Sequence, residues 1–100
     1  MSYRIEYSPL AVDHLGTLTT RHQAIIVDAV DRQLSEEPFR ETRNRKPMRP
    51  NPVAPWELRI GVLRVYYDIV EETSGPLVRV LAIGIKQRNR VLIGGEEIVL

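Results

Sequence analysis

Trp56-Glu57-Leu58-Arg59-Ile60-Gly61-Val62-Leu63-Arg64-Val65-Tyr66-Tyr67-Asp68-Ile69 decides how this chain folds. Trp56, Leu58 and Ile60 alternate with Glu57 and Arg59, the period-2 pattern of a strand with one buried face. Gly61-Val62 is short enough for a tight turn. Beyond it Leu63, Val65, Tyr67 and Ile69 resume the apolar face, and Arg64, Tyr66 and Asp68 take the other. The segment therefore predicts an antiparallel hairpin. Glu72-Thr73-Ser74-Gly75-Pro76 is a further turn. Leu77 to Ile85 is almost continuously apolar apart from Arg79, as expected of a central strand buried on both faces. Lys86-Gln87-Arg88-Asn89-Arg90 emerges from its end. Val91 to Leu100, broken at Gly94-Gly95, reads as an edge strand or a docked tail.

Upstream, Tyr3 to Tyr7 alternates and reads as a first strand. Ser8-Pro9 is an N-cap followed by proline at the first helical position. A short helix carries Leu10, Leu15 and Leu18 roughly on one face, with its end blurred at Gly16. Thr20 is the expected cap of a second helix, with Ala24, Ile25, Val27, Ala29, Val30 and Leu34 as its apolar stripe and Pro38 as its stop. Residues 38–55 hold five prolines and no periodicity, so they read as a long irregular loop. The loop is basic: Arg40, Arg43, Arg45, Lys46 and Arg49 are opposed only by Glu41. The fold class that follows is α+β: an N-terminal strand, a helical hairpin, then an antiparallel three-strand meander, with the helices on one face of the sheet.

One hundred residues make room for a single domain, residues 1–100. There is no cysteine, which excludes disulfides and thiolate metal sites. No apolar run reaches the roughly 20 residues of a membrane span. The N-terminus lacks the pattern of a signal peptide, so a cytoplasmic, membrane-free protein is expected. The net charge of +1 conceals an asymmetry. Residues 1–37 set three arginines against six carboxylates; residues 40–90 set eleven cations against five. A basic second half suits phosphate.

The alternation puts Arg59 and Arg64 on the face away from the core, with Tyr66 beside them. Lys86, Arg88 and Arg90 arrive at the end of the next strand. A concave basic surface carrying a tyrosine is a candidate RNA-phosphate site. The competing account is that Arg59 and Arg64 pair with Glu57, Asp68 or Glu71. His14 and His22 have no third ligand and read as surface or helix-end histidines, so no metal site is expected. Gly94-Gly95 lacks the Lys and Ser/Thr of a phosphate-binding loop. Trp56 reads as core rather than as a base-stacking platform.

The β-α-α-β-β-β order, the hairpin motif Trp56 to Tyr67, and the segment Val80-Leu81-Ala82-Ile83-Gly84-Ile85-Lys86 with its basic continuation resemble the RelE/ParE toxin superfamily over the whole chain. The resemblance implies the toxin of a type II toxin–antitoxin pair. Its RelE-like branch consists of mRNA interferases, endoribonucleases that cut mRNA on the ribosome and block translation without a metal or cofactor. On that model Arg64 clamps the phosphate, Arg59 is a second basic position, and Lys86 or Arg88 neutralises the remaining oxygens. Arg43, Arg45, Lys46, Arg49 and Arg90 would hold RNA. Glu57 and Tyr66 are the candidates for acid and base. Two positions depart from that branch: Glu57 stands where a lysine is common, and Leu92 and Ile93 stand where a tyrosine is common. The ParE branch, which inhibits DNA gyrase by binding alone, is the alternative, and a degenerate antitoxin-binding member is a third. All three imply a cognate antitoxin that wraps the chain with a helix and an extended segment. Contact with DNA would come only through the antitoxin.

Overall fold

The computed structural model describes residues 2–98 and contains two helices and seven strands: β1 (Arg4–Tyr7), α1 (Pro9–Gly16), α2 (Thr20–Leu34), β2 (Arg45–Pro47), β3 (Trp56–Ile60), β4 (Leu63–Glu72), β5 (Gly75–Gln87), β6 (Arg90–Ile93) and β7 (Glu96–Glu97). The meander expected from the sequence is β3-β4-β5, and both helices pack on one face. β2 lies inside the segment that reads as irregular: it pairs antiparallel with β3, so the Pro-rich stretch is partly a hairpin arm. The C-terminal stretch forms the β6–β7 hairpin; Val99 and Leu100 lie outside the described residues. No helix is long and apolar enough to cross a membrane among the described residues.

The helix ends follow from side chains that satisfy orphan backbone groups. Ser8 Oγ accepts the Ala11 N–H at 3.0 Å, and Pro9 opens α1. The cap of α2 is Thr19, not Thr20: Thr19 is in extended geometry and its Oγ1 accepts the His22 N–H at 3.1 Å. The capping residue sits one place before the first helical one, which fixes the choice. α2 ends at Leu34, before Pro38, with Ser35 as its C-cap. Leu10 departs from the expected stripe and is 59% exposed.

The main core gathers Ala11, Ile26, Val30 and Leu34 from the helices against Leu58, Leu63, Val65, Tyr67, Val78, Val80 and Ile83 from the sheet. Each fully buried aliphatic side chain contributes about 1.5–3 kcal/mol. Trp56 is half-buried and stacks on Tyr67 with ring centroids 5.9 Å apart, so it is core. The Tyr67 hydroxyl donates to the Pro38 carbonyl at 2.8 Å and ties the exit of α2 to the sheet.

β5 organises the sheet. One of its edges pairs with β4 throughout. The other is shared: β1 runs parallel to Leu77–Val80, and β6 runs antiparallel to Gly84–Gln87. The three residues between carry groups that neither strand satisfies. Ser8 Oγ donates to the Leu81 carbonyl at 3.3 Å, and the Ile83 N–H donates to His14 Nδ1 at 3.3 Å. At the same point the β4–β5 register slips, with Tyr66 opposite Ala82 and Tyr67 opposite Val80. Leu81 is the extra residue of a β-bulge, which reverses the parity of the strand. Val78 and Val80 face the helices before it, and Ile83 does so after it.

His14 is therefore a helix-end residue, in the last turn of α1, but buried and structural rather than on the surface. Its ring also lies under Gly94, whose φ is +62° and where an added Cβ would come within 2.8 Å of His14 Cδ2. Burial lowers the imidazole pKa from 6.5, and Asp13 opposes this in part. A base whose folded-state pKa is depressed stabilises the fold above its unfolded pKa and loses that contribution as pH falls through the folded value. Chemical denaturation of the wild type should show stability declining as pH is lowered below 6.5. His14→Leu should cost about 1–3 kcal/mol at neutral pH by orphaning the Ile83 N–H, and should flatten that pH dependence.

Candidate nucleic-acid interface on the second face of the sheet

The hairpin register sets Arg59 directly opposite Arg64, Glu57 opposite Tyr66, and Arg64 in turn opposite Gly84. These residues share the face turned away from the helices. Lys46 joins them through its pairing with Glu57, and Lys86 lies two residues beyond Gly84 on the same side.

The face is not the open surface that alternation suggests. Met48, Val53 and Ala54, from the segment between β2 and β3, fold over it and make a second small core with Tyr66, Ala82 and Ile93. Tyr66 is fully buried beside the Glu57 carboxylate, and its hydroxyl makes no well-formed hydrogen bond to any of the described residues. Burial first, and the Glu57 carboxylate second, push its pKa well above the ordinary tyrosine value. The fold of the covering segment depends on Asn51. Its Nδ2 donates to the carbonyls of Arg49 and Ala54 at 2.7 and 2.9 Å, and its Oδ1 accepts the N–H groups of Val53 and Ala54 at 2.8 and 3.0 Å. Asn51-Pro52 is a turn-initiating pair, and that signal was present in the sequence.

Glu57 and Arg59 form an ion pair at 2.7 Å, with side chains 9% and 48% exposed. A carboxylate so nearly desolvated needs a charged partner, and Arg59 supplies it without leaving solvent. The expected competition for Arg59 is thus partly realised, although within one strand rather than across two. Lys46 and Arg49 flank the pair and join no ion pair among the described residues. With Met48, Asn51, Glu57 and Arg59 they line an open cleft of about 350 Å³. Three cations around one carboxylate leave a local excess of positive charge, which suits a phosphate.

Arg64 is placed differently from the clamp role. It is only 7% exposed, and its Nη1 donates to the carbonyls of Gly61 and Leu63 at 2.7 and 2.8 Å. Gly61, at φ +58°, makes the turn whose carbonyl the guanidinium caps. The Nε and Nη2 atoms have no partner among the described residues and are not sealed from solvent. Lys86 is exposed, and its backbone N–H donates to Val62 O at 2.7 Å, which brings it beside the hairpin turn. Arg88 is exposed in the β5–β6 turn at φ +59°. Arg90 stands 3.8 Å from Glu97. Arg43 is exposed ahead of β2.

Arg45 is not a surface cation waiting for RNA. β2 turns it toward α2, where Nη1 donates to the carbonyls of Gln33 at 2.7 Å and Glu37 at 3.1 Å. It caps a helix C-terminus, where a positive charge is favourable. Nothing local in the sequence signals this, because those carbonyls arrive from residues eight to twelve positions away.

No protein-family model matches the chain, and no curated protein matches it. Among solved structures, a chain of the toxin–antitoxin complex RelBE2 from Mycobacterium tuberculosis superposes with a TM-score of 0.71 at 27% sequence identity, covering 86% of this chain and 93% of that one. The helical hairpin laid on a twisted antiparallel sheet is the RelE-like fold. The likeness supports the resemblance to the RelE/ParE toxin superfamily.

Arg45 and Lys46 are adjacent and should separate cleanly on mutation. Arg45→Ala should lower stability by about 1 kcal/mol in chemical denaturation, since the carbonyls at the end of α2, part-buried at Gln33 and exposed at Glu37, lose a charged donor. Lys46→Ala should leave stability within about 0.5 kcal/mol.

Proposed function

We propose that this chain is the toxin of a type II toxin–antitoxin pair and that it cuts mRNA on the ribosome. The convergence of Lys46, Arg49 and Arg59 around Glu57, on the sheet face opposite the helices, carries this reading. The similarity to a chain of a toxin–antitoxin complex supports the toxin assignment and a cognate antitoxin as partner. A cytoplasmic location is part of the same proposal.

In the chemistry proposed, the ribose 2′-oxygen loses its proton and attacks the adjacent phosphorus, and the 5′-oxygen leaves and takes a proton from water, giving a cyclic phosphate and a free 5′-hydroxyl. Negative charge grows on the non-bridging oxygens. Arg59 and Lys46 are placed to receive it, and Arg is suited by its planar fork. Glu57 would take the 2′-proton once Arg59 turns from it to the phosphate. Lys86 and Arg88, at the far end of the same sheet, would neutralise the leaving side. Arg64 would act through its two free nitrogens while Nη1 stays on the turn.

One observation favours a second reading. Arg64 is committed to its own hairpin and Glu57 to Arg59, an arrangement compatible with a rigid binding surface. On that reading the chain is a gyrase-binding, non-catalytic toxin.

Induction in a bacterial host separates the two. Wild type should arrest growth and yield cuts within translated codons by primer extension. Arg59→Ala should reduce cutting by about 10²–10³-fold, the cost of losing one charge-stabilising donor. Growth arrest with intact mRNA and a rising DNA-damage response would sink the ribonuclease reading.

A further inference from the structure

We propose that the segment Met48–Pro55 is a lid, and that it opens when single-stranded RNA enters the cleft of Lys46, Arg49 and Arg59, giving the buried Tyr66 hydroxyl a partner. This rests on the RNA-cutting reading and deepens it.

Three observations converge. Tyr66 carries a fully buried hydroxyl set beside the Glu57 carboxylate, without a well-formed hydrogen bond among the described residues. Phenylalanine would fill the same space without stranding a polar group, so the hydroxyl costs stability in the closed form. It faces Glu57 across the strand pair, and Glu57 forms the floor of the basic cleft. An opened lid therefore adds Tyr66 to the same site rather than to a new one.

The lid is also built to move as a unit. The side-chain hydrogen bonds of Asn51 run within the segment, to Arg49, Val53 and Ala54. The Met48 N–H donates to the Pro55 carbonyl at 2.8 Å and closes the neck. Contact with the sheet is apolar, through Met48, Val53 and Ala54. Clefts of about 350 and 400 Å³ flank the segment, so it stands partly clear of the body. Lifting it breaks apolar contacts and leaves its internal turn intact.

Arg49 couples the ligand to the movement. It lies on the lid, yet it lines the cleft with Lys46 and Arg59. The closed form holds these cations near one another against a single carboxylate. A phosphate backbone that engages Arg49 relieves that repulsion and grips the lid. Tyr7 supplies an internal control: its hydroxyl is also buried and unpartnered, but its side chain packs against the main core beneath the helices.

The test is NMR titration of the full chain, with labelled Tyr rings and Met methyls, using a short 2′-O-methylated oligoribonucleotide that cannot be cut. The lid predicts that the Tyr66 ring and the Met48 methyl shift together with the Arg59 side chain. Tyr66→Phe should melt higher than wild type yet bind roughly tenfold more weakly, the value of one hydrogen bond to a charged group. Tyr7→Phe should bind as wild type. If the oligonucleotide shifts Lys46 and Arg59 while Tyr66 and Met48 stay still, and Tyr66→Phe binds normally, the lid is wrong and the RNA reading survives. If nothing shifts, the RNA reading fails and takes the lid with it.

Discussion

The gap in β5 between Val80 and Gly84 is the constraint on which the structure turns. β1 stops at one side of it and β6 begins at the other, leaving backbone groups that must be satisfied inside the protein. Ser8 and His14 fill it from α1, so the first helix is fastened to the sheet by polar bonds as well as by packing. The bulge at Leu81 sits in the same gap. It lets β5 present Val78 and Val80, then Ile83, to one core, while Leu81 and Ala82 meet the other. Without the change of parity, the strand would carry apolar side chains to the wrong face over half its length.

That arrangement fixes the second face. Behind the bulge, the β2–β3 segment packs over Ala82 and Tyr66, while β6 closes over Gly84, where an added Cβ would come within 2.7 Å of the Leu92 carbonyl oxygen. The cationic residues then divide by what they touch. Arg45 is bound to helix carbonyls, Arg64 largely to its own turn, and Arg59 to a nearly buried carboxylate. Lys46 and Arg49 join no ion pair among the described residues. A charge count alone treats these five residues as equivalent; their hydrogen bonds do not.

Strict alternation made the β3–β4 hairpin legible, and a two-residue turn fixed Arg59 opposite Arg64. The helices were legible from proline, capping residues and an apolar stripe. The bulge was not, because Leu77 to Ile85 is apolar on both faces and an uninterrupted run shows no change of parity. The burial of His14 and the capping role of Arg45 depend on carbonyls and amides that only the fold brings near. The covering of Tyr66 was hidden for a related reason: alternation assigns a residue to a face, but does not say whether a distant segment lies on that face. Asn51-Pro52 marked a turn there without marking what the turn would cover.

Handling of RNA by this sheet face during translation is the proposed activity on which the assignment rests. A purified translation system with a defined mRNA tests it directly, run with the purified protein and with a matched message lacking its start codon. Cuts confined to the translated message, ending in cyclic phosphates, are the predicted result. An intact message in both reactions, with protein synthesis unaffected, would contradict the claim.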